Sequence, residues 1–265
     1  MERNSAPANP MITIRGLKKA FGTKIVLDGV DLDVMRGESL VIIGGSGTGK
    51  SVLIKNIIGL LSPDEGEIIV DGLAVRQLNS RGWQQLRRRT AMLFQGAALF
   101  DSMTIGENIA FPLREHFNLS AREIRERVNE KLNLVGLHDV DTLRPSQLSG
   151  GMRKRAGLAR ALAMEPKIML YDEPTTGLDP IMGQLINRLI VSLRDKLGMT
   201  SMTITHDMKS AYLIGDRIAM LYRGKIIEQG TPAQIRTSDN PVVRSFIQGQ
   251  ATQAPISLIQ EDERT

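Results

Sequence analysis

The stretch Gly44-Gly45-Ser46-Gly47-Thr48-Gly49-Lys50-Ser51 places four glycines next to one positive charge and one hydroxyl. Gly44, Gly49, Lys50 and Ser51 fit the spacing G-x-x-x-x-G-K-[ST]. Glycines let the chain curl so that its N–H groups point inward. A helix starting at Lys50 would aim its first free N–H groups at the same space. Such a concavity takes an anion. Lys50 can neutralise β- and γ-phosphate charge, and Ser51 can offer its hydroxyl to Mg²⁺. The pattern points to a nucleoside triphosphate; the plain alternative is a glycine-rich turn that binds nothing.

A second group of residues completes that chemistry. "IMLYDEP" is an apolar strand ending in two acids. Asp172 is placed to hold Mg²⁺ through water. Glu173, expected to point elsewhere because side chains alternate along an extended chain, can orient the attacking water or take its proton. An ordinary acidic strand end is the competing reading. Gln95 is expected to end the strand "TAMLF", where its amide could meet metal and water. His206 follows "SMTIT", where a neutral imidazole could bond a γ-phosphate or its water. A surface glutamine and a capping histidine are the alternatives. Ser149, Gly150 and Gly151 precede a helical pattern and resemble another anion-facing helix start. With one phosphate loop already present, this site is best used by the nucleotide of a second copy, which implies a head-to-tail pair with two ATPs at the contact.

These residues need elements to hold them. "MITIRG", "KIVLDGVDLD", "ESLVIIG", "EGEIIVDG", "TAMLFQ", "KIMLYDEP", "SMTIT" and "RIAMLYRGKIIEQG" read as strands. Helices are expected from Lys50 to about Leu61, over 81–89, from Asp179 to Leu197 and from Asp207 to Gly215. Between Asp101 and Pro166 helical periods dominate, and Ser120 with Glu123 three residues on marks an N-cap. Strand–helix alternation argues for an α/β core with a largely parallel sheet, and the closely spaced front strands for an antiparallel edge.

Composition removes other classes. The 265 residues are enough for one large domain or two small ones. There is no cysteine, so neither disulfides nor a thiolate metal site is possible. No apolar run reaches the roughly 18 residues that span a bilayer, and "MERNSAPANP" has no signal-peptide core. The net charge of +5 is mild. Arg87, Arg88 and Arg89 lack interleaved aromatics, so nucleic acid is not an expected partner.

Taken together, the segments resemble the nucleotide-binding subunit of an ABC (ATP-binding cassette) transporter over about residues 11–247. "GGSGTGKS" matches Walker A, "LSGGM" the signature, "IMLYDE" Walker B and "PTTGLDP" the D-loop. Gln95 falls on the Q-loop position and His206 on the switch histidine. The resemblance implies a P-loop NTPase of ABC ATPase fold, with a mixed β core, an antiparallel β edge and a helical subdomain over about 98–165, flanked by tails at 1–10 and 248–265. It also implies Mg²⁺-dependent ATP hydrolysis coupled to transport, Phe21 against the adenine and Asp179 at the nucleotide. Met152 departs from the usual signature glutamine.

The segment 92–115, "MLFQGAALFDSMTIGENIAFPLRE", is similar to the Mla-type, MCE-linked phospholipid transport ATPases. That similarity implies a peripheral protein on the cytoplasmic face of a bacterial inner membrane. Its partners would be permease subunits, an MCE-type substrate-binding protein and a small cytoplasmic accessory subunit. Phe100, Met103, Phe111, Pro112 and Leu113 are candidates for the groove that docks the permease. The tail is expected to be loose, or to pack through Ile256, Leu258 and Ile259 on a partner. A small-solute importer is the nearest alternative. A DNA-repair or chromosome-type ATPase would need a long coiled coil, and no such pattern lies between Gln95 and Leu148.

Overall fold

The computed structural model describes residues 9–249; the expected packing of Ile256, Leu258 and Ile259 falls outside them. Alternating apolar residues such as Ile12, Ile14, Leu32 and Val34 build a hairpin of β1 (Pro10–Phe21) and β2 (Lys24–Met35), closed by Gly22-Thr23. Both strands outrun their apolar patterns, because cross-strand pairing carries Lys18, Lys19 and Ala20 as far as Phe21. Next come β3 (Ser39–Ile43), α1 (Lys50–Ile57), β4 (Glu65–Val70) and β5 (Leu73–Ala74). Then follow α2 (Ser80–Arg89) and β6 (Thr90–Leu93).

Three helices come after β6: α3 (Ile105–His116), α4 (Ala121–Leu134) and α5 (Gly150–Leu162). Ser120 caps α4 as expected, its hydroxyl accepting from Glu123 N while Glu123 reaches back to Ser120 N at 2.7 Å. Thr104 and Glu107 form the same box on α3. The chain returns through β7 (Ile168–Asp172), α6 (Pro180–Leu197), β8 (Thr200–Ile204) and α7 (Met208–Ile214). It ends in the hairpin β9 (Arg217–Tyr222) and β10 (Lys225–Gly230), then α8 (Pro232–Arg236) and α9 (Pro241–Ile247).

The strands form two sheets. The main sheet has the order β10-β9-β3-β8-β7-β6, parallel except for β10. The front strands are not its edge. They make a separate antiparallel sheet, β2-β1-β4-β5. Burial explains why. β3 has no exposed residue: Leu40 and Ile42 pack toward the antiparallel sheet and α1, while Val41 and Ile43 pack toward the helices. A strand covered on both faces belongs in the middle of a layered structure.

Three local expectations change. Helix α1 stops at Ile57 rather than Leu61, because Gly59 turns left-handed (φ 70°) and the amides of Leu60 and Leu61 return to Lys55 O. Gln95 lies two residues beyond β6 rather than ending it. Leu113 is fully buried in the helical core, so it lines no groove. Phe100 and Phe111 remain on the surface as an edge-to-face pair 5.2 Å apart, with Met103 and Pro112 half-buried.

The turn at Gly59 gives a stability prediction. A Cβ there would lie 2.0 Å from Cη2 of Trp83, on a backbone conformation that disfavours side chains. Gly59→Ala should cost about 2 kcal/mol, seen as a fall in Tm of about 4–8 °C in a thermal melt.

Candidate functional site

Strand β3 delivers the chain into the phosphate-type loop, and α1 takes it out. Two of the glycines are obligatory for space. A Cβ on Gly44 would stand 2.4 Å from Leu221 O, and one on Gly49 (φ 99°) would stand 2.8 Å from Val26 Cγ1. The loop is therefore wedged between β9 and β2. Thr48 Oγ1 donates to Gly45 O at 2.9 Å, which holds the turn together. Lys50 lies inside the loop, its ammonium donating to Gly44 O at 2.8 Å and Gly45 O at 2.7 Å. Burial pulls the Lys50 pKa down, while Glu173 and Asp172 act in the opposite direction.

Strand β7 brings the acids. Ser51 Oγ donates to Asp172 Oδ1 at 2.8 Å, joining the start of α1 to the end of β7. Glu173 is not on an extended strand. It is left-handed (φ 50°), with its amide donating to Ile204 O at 3.0 Å. This turn, rather than strand alternation, separates its direction from that of Asp172. Such a conformation is costly for a non-glycine residue and needs its neighbours to hold it. Glu173 Oε2 has two such neighbours: Thr176 Oγ1 donates to it at 2.7 Å, and His206 Nδ1 stands at 2.7 Å. With Nδ1–H donating to Glu173, a neutral His206 ring keeps Nε2 as an acceptor. A bond from His206 to a phosphate oxygen then requires a ring rotation or a second proton.

Gln95, exposed beyond β6, closes the far side. One cavity of about 530 Å³ is lined by Phe21, Val26, Ser46, Gly47, Gly49, Lys50, Ser51, Val52, Gln95, Glu173, Thr176 and His206. Phe21 is 49% exposed at its mouth, so it is not core. Asp172 meets the cavity through its bond to Ser51.

The remaining expected residues lie elsewhere. Ser149 caps α5, its hydroxyl accepting from Met152 N at 3.3 Å. Gly150 lines a separate space of about 160 Å³ with Gln95, Arg153, Lys154 and Thr176. Gly151 is buried under Met182, whose Cε would be 2.4 Å from an added Cβ. Asp179 caps α6, accepting from Ile181 N and Met182 N at 3.0 Å each. None of these four lines the loop cavity of its own chain. Thr176 was missed in the sequence. Its only signal is its place three residues after Glu173, where a tight turn (Thr176 N to Glu173 O, 3.2 Å) brings the hydroxyl back.

Oxygen donors such as Ser51 and Asp172 suit a hard divalent cation. Among the described residues no group of three His, Cys, Asp or Glu converges as a metal site. Mg²⁺ takes few protein ligands and completes its shell with phosphate and water.

Comparisons with known proteins agree with this geometry. Residues 27–176 match the family model described as ABC transporter. The chain is 42% identical over 260 residues to a Mycobacterium leprae protein named probable ribonucleotide transport ATP-binding protein mkl, covering 98% of this chain and 75% of that one. It is 39% identical over 241 residues to the intermembrane phospholipid transport system ATP-binding protein MlaF of Haemophilus influenzae, covering 91% of each. Among solved structures, an ATP-binding cassette dimer in a post-hydrolysis state with ADP and Pi superposes with a TM-score of 0.77 at 33% identity, covering 84% of this chain and 99% of that one. The cbiO1 subunit of a Clostridium perfringens ABC transporter complex gives 0.79 at 29% identity, covering 95% and 99%. A loop, two acids, a glutamine and a histidine on one crevice, in a chain with these relatives, mark it as a member of the ABC transporter family: an ATP-hydrolysing, ATP-binding subunit.

Proposed function

We propose that two copies of this chain close head to tail over two Mg·ATP and drive an attached membrane permease that moves phospholipid or another hydrophobic molecule. One observation carries the paired arrangement. Neither Ser149 nor Gly150 lines the cavity that Lys50, Ser51, Glu173 and His206 share, and Gly150 borders a neighbouring space that meets that cavity only at Gln95 and Thr176. Within one chain the signature residues therefore have no phosphate to meet.

In this reading Lys50 leaves the carbonyls of Gly44 and Gly45 for the β- and γ-phosphates, and Phe21 stacks on the adenine. Ser51, Asp172 and Gln95 would hold Mg²⁺, which neutralises phosphate charge when bound. Glu173 orients the attacking water and accepts its proton. His206, already bonded to Glu173, keeps that carboxylate aimed. Asp179, at the start of α6, reaches the seam between copies. Closure excludes water and strengthens each of these electrostatic contacts.

The exposed Phe100–Phe111 pair suits a permease contact, since paired exposed aromatics gain most from being covered. No helix among the described residues is long and apolar enough to cross a membrane. A peripheral place on the cytoplasmic face of an inner membrane follows from the permease reading. So do an MCE-type protein and a small accessory subunit as further partners. The lipid cargo is supported by the likeness to MlaF over nine-tenths of both chains. The mkl name favours ribonucleotide as the second reading.

Three outcomes test this. Glu173→Gln should still bind ATP but hydrolyse it at least about 100-fold more slowly, whereas Lys50→Ala should weaken ATP binding about tenfold or more; equilibrium binding and phosphate release separate the two. With Mg·ATP, the Glu173→Gln chain should double in mass by light scattering. Adding Ser149→Arg should abolish the doubling while each chain still binds nucleotide, and a pair that persists would sink the head-to-tail arrangement. Finally, the complex purified with its membrane subunits should carry phospholipid detectable by mass spectrometry. Its ATPase should rise with phospholipid and not with ribonucleotide; the reverse pattern would favour the second reading.

A further inference from the structure

Lys154 is only 6% exposed, five residues into the helix that Ser149 caps. A buried ammonium is unfavourable unless its donors are satisfied. Most buried lysines meet a carboxylate, but among the described residues Lys154 forms no ion pair with one. Its ammonium donates to two backbone carbonyls instead, those of Gln95 and, at 3.4 Å, Glu173. Burial lowers its pKa, opposed by the charges of Asp172 and Glu173. The two acceptors belong to different elements, one following β6 and the other following β7.

The same face of α5 continues this contact. Residues 154, 157 and 160 lie three apart and so share one side of a helix. Gly157 lets α5 touch the loop after Gln95, for an added Cβ would stand 3.0 Å from both Ala97 Cβ and Ala97 O. Arg160 Nη2 donates to Ala97 O at 3.2 Å. Ala97 (φ 62°) and Ala98 (φ 49°) are both left-handed, a shape that surrounding contacts must enforce. Helix α5 is thus a template along which residues 95–98 are laid. Lys154 is the one member of this row that also reaches the turn of Glu173.

We propose that Lys154 is a positioning residue for hydrolysis, holding the Gln95 and Glu173 carbonyls so that both side chains face the phosphate cavity. Fixing the Glu173 carbonyl fixes the left-handed turn that aims its carboxylate. Because Lys154 sits on the helix led by Ser149 and Gly150, displacement of that helix moves the water-orienting groups with it. The seating of the signature helix is thereby tied to hydrolytic competence inside a single chain. This inference rests on the proposed roles of Glu173 and Gln95.

The test uses the full chain. Lys154→Met keeps the length of the stem and removes the donors. It should melt at the parent temperature and bind ATP with near-parent affinity, while kcat falls at least about tenfold, since small misplacements near the reacting atoms cost this much or more. Lys154→Arg, which restores donors, should recover most of the rate. In single-turnover measurements the Lys154→Met penalty should shrink sharply when Glu173→Gln is already present, because residues acting through one another are not additive. A kcat within about twofold of the parent overturns the inference. So does an equal penalty in both backgrounds, or a loss that Lys154→Arg leaves unrepaired. If Lys154→Met does not fold, Lys154→Gln takes the same readings. Glu173→Gln measured alone keeps the two ideas apart: parent-like hydrolysis there removes the assignment of Glu173 itself, whereas slow hydrolysis with a neutral Lys154→Met removes only the role of Lys154.

Discussion

Four parallel strands ending on one rim are the constraint from which the site follows. Parallel pairing sets Ile42 opposite Ile204, Ile204 opposite Asp172, and Tyr171 opposite Leu93. Whatever comes one or two residues after each of these partners must then appear along the same edge. Those residues are the glycine loop, His206, Glu173 and Gln95. Segments more than a hundred residues apart in sequence meet because hydrogen-bonded parallel strands share a direction, and open α/β sheets bind ligands beyond their carboxyl ends. The antiparallel sheet adds a different component, carrying Phe21 on the last residue of β1 to the mouth of the cavity.

Electrostatics at that rim are tightly matched. Lys50 and Lys154 are buried cations that both feel the charges of one pair of acids, Asp172 and Glu173. Among the described residues neither lysine forms an ion pair with an acid; both rest on backbone carbonyls. Direct ion pairs would hold the acids against their lysines. Carbonyl contacts satisfy the ammonium groups while leaving the carboxylates to Ser51, Thr176 and His206, which meet them by hydrogen bonds at 2.7–2.8 Å. That arrangement suits a crevice whose partners must change when a highly charged substrate arrives.

The helical layer has a separate logic. Helices α3, α4 and α5 share a core with one face of the main sheet, yet their link to the rim runs through the row Lys154, Gly157 and Arg160 and through the left-handed residues after Gln95. The surface aromatics Phe100 and Phe111 lie just past this segment, and Arg160 stands over Phe100 at 5.5 Å. That aromatic pair and the start of α5 therefore adjoin the residues after Gln95 through the same few contacts.

The glycine loop between β3 and α1, the paired acids, the buried strands and the capped helix at Ser120 were legible in the order of residues, because each depends on neighbours within about eight positions: strand alternation, a glycine pattern, a box of two hydrogen bonds. The proposed pairing of Ser149 with a second copy rests in the same way on the count of candidate anion sites in one chain. Features that depend on packing between distant segments were not legible. The lack of room for a side chain at Gly59 was set by the Trp83 ring, the direction of Glu173 by a left-handed turn braced by Thr176 and His206, and the burial of Leu113 by the helical core. Nor did sequence separate the antiparallel sheet from the main one, since a strand's local pattern says which face is apolar but not which layer covers it. Local chemistry was written in the chain; the angle at which each group meets the crevice was decided by what packs behind it.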